Sequence, residues 1–592
     1  MLKNLLFVIN KKYYKNLIFI FLGANIAAIL EMLSLGSIPI FVGFIISPEV
    51  LLSKVPITSF RNLLNEFNYE KTILLISCVV LAAFIIKNLF LGLLIFFEHH
   101  TTFKIKKDIS IKLFSYYVTA PYEFHLESNP ASLNRNITYE ITATVSSIIF
   151  LINLLREFLV IFVVVILLLL IDTKITILSF LALSFSVLVF FTLIKSFLKT
   201  KAKQSQRLRK KITQIINQSF GAIKDLKILL KEKKSIENFS KDIEILEKNT
   251  FYYQVVSKFP KIFLEIVSLI IMVLVVGVFL LLGRNFETML PTLSLLAISM
   301  VRLIPAFNSI STSLSNLRIN IPSINLLKEE MKNIDIAKKD EIIRSKNFEN
   351  NKIFSEDKSL LALENVTYTF PNSKIKSIRD ISIKMEKGQS IGITGVTGAG
   401  KSTLFHLMLG LLKPQKGVIK FRGQDIQNNL TFLRNNVGYI SQNVYLNDDT
   451  IKNNIIFGDD KDKIDDKNLL EAIEISGLKS FLSKLENGLE TKVGSDGLRL
   501  SGGERQRIGI ARAIYKKPEL LFMDESTSSL DYKTEDLIVS NLKIFSKDRT
   551  IVIIAHRLST IKHCDKIHLL KDGKVIDSGN FQEIQKRNQI DN

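Results

Sequence analysis

The sequence predicts an α-helical membrane half of six spans followed by a soluble α/β half. Long apolar runs crowd the first ~330 of its 592 residues, while the last ~230 mix polar and apolar residues as a soluble domain does. In that second part a short apolar run, 389–394, feeds the glycine-rich loop Gly395-Val396-Thr397-Gly398-Ala399-Gly400-Lys401-Ser402 and then a helical pattern. A later run, Leu520-Leu521-Phe522-Met523, has the continuous apolar character of a strand buried on both faces and ends in Asp524-Glu525.

Composition agrees with this division. The hydrophobic fraction is 47%, and mean hydropathy is +0.25, high for a wholly soluble chain. Lys and Arg exceed Asp and Glu by 78 to 56, a net charge of +22. Much of the excess flanks apolar segments and no nucleic-acid motif competes, so the charge reads as a Lys/Asn/Ile-rich composition bias together with positive residues on the inner side of the spans. The two cysteines, Cys78 and Cys564, lie in different halves, which excludes a disulfide framework, and nothing has zinc-site spacing. The first apolar run is too long for the core of a cleavable signal.

A spanning helix needs about 20 mostly apolar residues. Runs of that kind cover about 16–46, 72–97, 146–171, 175–198, 255–282 and 288–315. The loop 199–251 opens with Lys199, Lys201, Lys203, Arg207, Arg209, Lys210 and Lys211, and 98–145 carries Lys104, Lys106, Lys107 and Lys112. Both loops are therefore expected on the cytoplasmic side, with both termini. The basic start, Lys3 to Lys15, suits a helix lying in the interface before span one. Glu31, Lys87, Arg156, Glu157, Lys261, Glu265 and Arg302 fall inside the spans, where charge is costly. Two readings stand for them: mutual pairing, as for Lys261 and Glu265 at i, i+4, or a basic cavity built by Lys87, Lys261 and Arg302 for an anionic head group.

The expected domains are 1–330 in the membrane, a connector over 331–359, and a soluble domain over 360–592. In the soluble domain, glycines let backbone N–H groups wrap phosphate oxygens at a helix start. Lys401 is expected to reach the β- and γ-phosphates, Ser402 to ligate Mg²⁺, and Thr403 to lie close to the phosphates. Asp524 is expected on the metal side, and Glu525 as the general base that polarises the attacking water. A further strand, 551–555, delivers His556 to the same edge as a γ-phosphate sensor. Between the loop and the acidic strand lies a second glycine-rich anion site, Leu500-Ser501-Gly502-Gly503-Glu504.

With these motifs in this order, residues ~360–585 resemble the nucleotide-binding domain of ATP-binding cassette (ABC) transporters, and the whole chain resembles an exporter half-transporter of that superfamily. The resemblance implies ATP and Mg²⁺ as ligands. It puts Phe370 at the adenine-stacking position, where Tyr is common. Gln442 matches the glutamine loop that touches Mg²⁺, Thr491 to Gly494 the short loop before the signature, Ser529-Leu530-Asp531 the loop that crosses the dimer interface, and His556 the switch histidine. Leu500 to Glu504 matches the signature that closes on the ATP of a second, identical chain, with Glu504 where Gln is usual. Coupling helices are implied near 129–136 and 219–227.

For cargo, 259–265, 302–308 and the setting of Glu31 look similar to bacterial flippases of lipid-linked oligosaccharides. That similarity implies a polyprenyl-diphosphate-linked glycan and a bacterial inner-membrane location among membrane lipids. A lipid A-like glycolipid, a drug or a peptide remains the alternative among transporters, and an ATP-gated channel or regulatory membrane protein the alternative of another class. No peptidase domain is expected before span one, which argues against a processing peptide exporter.

Overall fold

The computed structural model describes residues 1–46, 69–171, 207–281, 286–348, 359–458, 464–524 and 549–588, short of positions 372, 495, 496, 556 and 557, with scattered positions in 173–205 and 538–545. The chain divides into two compact units.

The first unit comprises Met1–Ala120 and Ser128–Ala337. It opens with the helix Leu2–Val8, which buries Leu5 and Val8 and exposes Leu2, Leu6 and Phe7, the two-faced character expected of an interfacial helix. Long helices follow: Tyr14–Ile46, Tyr69–Thr119, Ile141–Ile171, Glu232–Leu281 and Phe286–Phe348. The 51 residues of Tyr69–Thr119 rise about 77 Å at ~1.5 Å each, more than twice a hydrocarbon core of about 30 Å. Among the described residues four helices are long and apolar enough to cross a membrane: Lys11–Ile38, Glu70–Thr119, Pro130–Ile166 and Glu232–Gly277. The sixth expected span lies on Phe286–Phe348, and most of the fourth, 175–198, lies outside the described residues.

These helices pack through small and branched side chains. Ala28, Leu35, Val160, Ile161, Val164, Ile271, Val275, Met300, Leu303 and Ala306 form one buried cluster. Gly23 meets Leu94 so closely that a Cβ there would lie 2.6 Å from Leu94 Cδ1. Large apolar side chains such as Phe96, Leu269 and Val273 face outward, as lipid-facing positions do. The expected connector from 331 is helical through Phe348, because Phe286–Phe348 runs on past the apolar stretch without a break.

The second unit comprises Pro121–Glu127 and Lys338–Asn592. Its first strand, β1 (Ser359–Tyr368), starts one residue before the expected domain boundary. With β2 (Ile378–Glu386), β4 (Lys416–Phe421) and β5 (Gln424–Asp425) it makes an antiparallel sheet in the order β2-β1-β4-β5. A six-stranded sheet has the order β10-β9-β3-β8-β7-β6. Its strands are β3 (Ser390–Gly395), β6 (Val437–Ile440), β7 (Leu520–Asp524), β8 (Thr550–Ile554), β9 (Lys566–Lys571) and β10 (Lys574–Gly579). All neighbours in it are parallel except β10 on β9. Parallel strands are covered on both faces, and Ile391, Ile393, Leu520, Leu521, Phe522 and Val552 are fully buried.

Candidate functional site

Parallel pairing decides where the chemistry sits. Ile393 pairs with Ile554, Asp524 with Ile554, and Ile440 with Met523. The C-terminal ends of β3, β7, β8 and β6 therefore share one edge of the sheet, where open α/β sheets hold their ligands. Gly395 ends β3, Asp524 ends β7, and Gln442 follows β6 by two residues. Glu525, Ser529, Leu530, Asp531 and His556 lie outside the described residues.

The loop after β3 is built as its glycines require. Gly395 has φ +151°, and a Cβ on it would lie 2.2 Å from the carbonyl oxygen of Leu570. Gly398 has φ +83° and opens onto free space, with no atom within 4 Å of its Cβ position. The helix Lys401–Met408 starts directly behind it, with Gly400 as N-cap. Lys401 is 5% exposed, and its Nζ donates to the carbonyls of Gly395 at 2.7 Å and Val396 at 3.1 Å. Its ammonium thus lies under the mouth of the loop. Val396, Thr397, Gly398 and Ser402 are exposed, Thr403 is half-buried and Ala399 is buried. This is an open cradle of backbone groups with one cation at its base, which fits a polyphosphate.

The donor set also fits Mg²⁺. The ion keeps waters and takes one or two carboxylates plus phosphate oxygens rather than a protein cage. Ser402, Gln442 and Asp524 are oxygen donors of that kind, and among the described residues no group of three or more His, Cys, Asp or Glu forms a metal cage. Tyr439 on β6 feels the same carboxylate: burial first, then the charge of Asp524, pushes its phenol up to about 12.

Phe370 is half-buried beyond β1 and makes an edge contact with Tyr368, with ring centroids 5.1 Å apart at 86°. Leu500 to Glu504 leads into the helix Gly502–Tyr515. Ser501 is its N-cap, in extended backbone conformation. The Ser501 N–H donates to Glu504 Oε2 at 2.8 Å, and the Glu504 N–H donates to Ser501 Oγ at 3.3 Å, a complete capping box. Farther along, Ile508, Ile510, Ala511 and Ile514 anchor this helix in a cluster with Leu446, Ile451 and Val493. The glycine-rich loop belongs to a different cluster, with Leu404, Phe405 and the strands β1 to β4.

The expected coupling segment near 129–136 contains one short helix and is preceded by another. Its helix, Pro130–Arg135, belongs to the first unit, whereas the preceding helix Tyr122–Glu127 belongs to the second. Tyr122 packs edge-on against His406, with centroids 5.4 Å apart, on the helix that begins at Lys401. The Tyr368 hydroxyl donates to Glu123 Oε1 at 3.2 Å. No residue of either short helix is fully buried, and the ring of Tyr122 and the carboxylate of Glu123 make these contacts from half-buried positions. Sequence reasoning missed Tyr122, Glu123, Tyr368 and His406. The available signal was an aromatic-acidic pair directly after Pro121. The second segment, near 219–227, contains the helix Ile223–Ile228, which ends on exposed Ile228, Leu229 and Leu230.

The intramembrane charges form a chain. Arg302 Nε lies 2.7 Å from Glu31 Oε1, and Lys87 Nζ lies 3.5 Å from Glu31 Oε2. Arg302 Nη2 is 3.4 Å from Glu157 Oε2, an ion-pair distance without hydrogen-bond alignment. Arg156 then bridges Glu157 at 3.8 Å and Glu98 at 3.4 Å. Three cations, Lys87, Arg156 and Arg302, face three carboxylates, Glu31, Glu98 and Glu157, so the chain is neutral. Lys261 is not part of it: its side chain is 59% exposed and pairs with Glu265. The basic-cavity reading of Lys87, Lys261 and Arg302 is corrected accordingly. Arg302 and Lys87 share one carboxylate, and Lys261 stands apart on its own helix face. Glu98 was not anticipated, because it lies just beyond the apolar run it serves.

Comparison with known proteins assigns both halves. Residues 22–303 match the family described as ABC transporter transmembrane region, and 378–528 match the family described as ABC transporter. The chain has the architecture of an ABC exporter half-transporter. A bacterial Atm1-family ABC exporter solved with ATP bound superposes with a TM-score of 0.74 at 20% identity, covering 98% of this chain and 97% of that one. That likeness extends over membrane helices and cassette together. A putative export ATP-binding/permease protein of Rickettsia typhi is 40% identical over 39% of this chain and 40% of its own length. A putative multidrug export ATP-binding/permease protein of Staphylococcus aureus is 37% identical over 38% of each chain. The ABC transporter B family member 17 of Arabidopsis thaliana is 38% identical over 39% of this chain and 19% of its own length. The match thus spans two-fifths or less of the length of these curated relatives.

Proposed function

We propose that two copies of this exporter-type chain hydrolyse ATP to move an amphipathic cargo across the membrane. The observation that carries the reading is the shared sheet edge. Gly395, Asp524 and Gln442 lie at or just beyond the strand ends on that edge, and Lys401 is buried beside the loop, while the helix that follows Leu500–Ser501 is anchored in a separate apolar cluster and Ser501 and Gly502 are exposed. A phosphate cradle without a lid, and a lid without its own cradle, are complementary between two copies.

In this reading Lys401 and the loop N–H groups hold the phosphates, and Phe370 stacks on the base. Ser402, Gln442 and Asp524 hold Mg²⁺, which when bound neutralises charge on the phosphate oxygens. Glu525 polarises the attacking water and His556 senses the γ-phosphate. Ser501, Gly502 and Gly503 close on the nucleotide of the second copy, and Ser529, Leu530 and Asp531 line the interface. Closure with ATP and separation after hydrolysis supply two states that attached helices can follow. The segment 122–127 and the exposed tip around Ile228 to Leu230 are the points through which they follow.

The neutral charge chain favours an apolar or weakly charged amphiphile, such as a drug-like compound, over a diphosphate-linked glycan. The glycan reading keeps its support in 259–265 and 302–308 and becomes the second choice. It requires Arg302 to leave Glu31 when cargo enters. The test is translocation by the protein reconstituted in vesicles. Wild type is expected to move a hydrophobic drug with ATP, and Glu525→Gln to abolish hydrolysis and movement together. Movement that survives Glu525→Gln rejects the pump. Efficient flipping of lipid-linked oligosaccharide with no drug movement reverses the order of the two cargoes.

A further inference from the structure

We propose that the cassette carries a second anion site, a basic groove between the β1–β2 connection and the β9–β10 turn, which takes a small soluble di- or polyphosphate. The site is separate from the loop after β3 and independent of the cargo.

The groove encloses about 520 Å³. Lys374, Lys376, Arg379 and Lys574 line it, together with Asp380 and Thr367. Four cations against one carboxylate leave a net charge of +3 in one hollow. Elsewhere the cassette pairs its surface cations: Lys420 lies 2.8 Å from Glu364 Oε2, Lys517 2.7 Å from Glu471 Oε2 and Arg587 3.0 Å from Asp577 Oδ1. Among the described residues none of the four groove cations has an ion-pair partner. Asp380 is held by its own surroundings instead. Its Oδ1 accepts from Asn365 Nδ2 at 3.0 Å, and its N–H donates to Thr367 Oγ1 at 3.1 Å. Both Asn365 and Asp380 take left-handed backbone, φ +52° and +54°, which short Asn and Asp side chains tolerate through such local bonds.

Arg379 is the group best suited to phosphate. Its Nε donates to the Lys376 carbonyl at 3.4 Å, and its two Nη groups make no hydrogen bond among the described residues. A planar fork with both Nη groups free matches two oxygens of one phosphate. Lys374, Lys376 and Lys574 are exposed and add point charges around it. One phosphate satisfies the fork, and a second meets the remaining cations.

The walls are fixed before any ligand arrives. The Arg379 N–H donates to the Gly573 carbonyl at 2.7 Å, the Gly573 N–H to the Ala399 carbonyl at 3.1 Å, and the Ser377 N–H to the Tyr368 carbonyl at 2.9 Å. Gly573 has φ +73°, and a Cβ on it would lie 2.6 Å from the Ser377 carbonyl oxygen, so the two walls meet backbone to backbone. Preorganised walls lower the cost of ordering on binding. The groove also opens away from the base position. Thr367 and Tyr368 are successive residues of β1 and face opposite sides of its sheet. Tyr368 carries its ring against Phe370, whereas Thr367 lines the groove. A nucleotide stacked on Phe370 leaves the groove open.

The test uses the full-length protein in uncharged detergent at an ionic strength of about 0.05 M. EDTA and excess ADP are present to fill the loop after β3, and binding of labelled inorganic pyrophosphate is followed by equilibrium dialysis. One pyrophosphate per chain is expected to bind with ADP in place. Arg379→Gln and Lys574→Gln should each weaken it by about fivefold, and the double variant by more than about tenfold. Lys387→Gln removes an exposed cation just beyond the far end of β2 and should bind as wild type does. Unchanged melting shows that the variants fold. Inorganic phosphate, with a single group, should bind about tenfold more weakly than pyrophosphate. Phosphatidic acid added to the detergent should leave pyrophosphate binding unchanged, and displacement by that headgroup overturns the assignment to a soluble anion. Absence of binding, displacement by ADP, an equal loss in Lys387→Gln, or a loss in Lys401→Ala with none in Arg379→Gln overturns the site. If ADP fails to bind while pyrophosphate still binds through Arg379 and Lys574, the nucleotide reading of the loop falls and this site stands.

Discussion

Arg302 and Glu31, 271 residues apart in sequence, face each other at 2.7 Å between two helices whose neighbouring residues Ala28, Leu35, Met300, Leu303 and Ala306 belong to one apolar cluster. Neither charge is stable there alone. Removing one member of a buried pair leaves its partner desolvated, at a cost on the order of 3–5 kcal/mol. Glu31→Gln is therefore expected to lower yield and thermal stability in detergent, since Arg302 and Lys87 then face each other without their shared carboxylate. Adding Lys87→Met should recover part of the loss, because Lys87 is the cation that loses its paired carboxylate while Arg302 keeps Glu157 at 3.4 Å. A melting series over the three proteins checks this. A double variant no better than Glu31→Gln would mean that Lys87 contributes nothing to the chain.

Coupling should pass through Tyr122 and Glu123. Tyr122 touches His406, which lies on the helix that begins at Lys401, and Glu123 accepts from Tyr368, whose ring meets Phe370. An aromatic pair of this kind contributes about 1 kcal/mol beyond its buried area. Tyr122→Ala is expected to reduce transport several-fold more than it reduces ATP hydrolysis, and cargo should no longer stimulate the hydrolysis that remains. Parallel measurement of both rates in the same vesicles decides it. Equal loss of both rates would make Tyr122 a folding residue only.

Lys401 offers a cleaner loss. Its ammonium is buried against the carbonyls of Gly395 and Val396 and has no substitute at the base of the cradle among the described residues. Lys401→Ala is expected to weaken ATP binding by at least tenfold, equal to about 1.4 kcal/mol, and to abolish measurable hydrolysis while the cassette still folds. Nucleotide titration by fluorescence, alongside an unfolding curve, separates the two effects.

Much of this was legible in the chain because the cassette states its chemistry locally. A strand, a glycine turn and a helix start lie within 390–408, so one short stretch predicts both the geometry and the ligand. The membrane charges behave differently. Pairing and a basic cavity both stay open for Lys87 and Arg302 in the sequence because Glu31 and Glu157, which pair with them, come from helices distant in sequence. Pairing across a bundle leaves no spacing rule in the sequence, unlike Lys261 and Glu265, which lie one turn apart. The contacts of Tyr122 were hidden for a related reason. What ties 122–127 to the second unit is a ring contact with residue 406, far away in sequence, and no local pattern announces it.

His568 gives the cassette a pH dependence with a definite sign. It sits 3% exposed on β9, its Nδ1 2.7 Å from Ser578 Oγ and its Nε2 buried with no partner among the described residues. Burial first, and the charge of Lys566 second, lower its pKa from 6.5 to about 4. The folded cassette thus holds the ring neutral where the unfolded chain would protonate it. Stability from this group is complete above pH 6.5 and drains away as pH falls toward 4. The full span corresponds to ~3 kcal/mol, of which about 2 kcal/mol is gone by pH 5. Denaturant unfolding of the full chain, followed by a probe in the cassette at pH 7.5 and pH 5, should show that difference. His568→Gln cannot titrate, so it should be less stable at pH 7.5 yet lose less on acidification. An equal acid loss in both proteins would assign the dependence to other groups, with the Ser578 contact then serving packing alone.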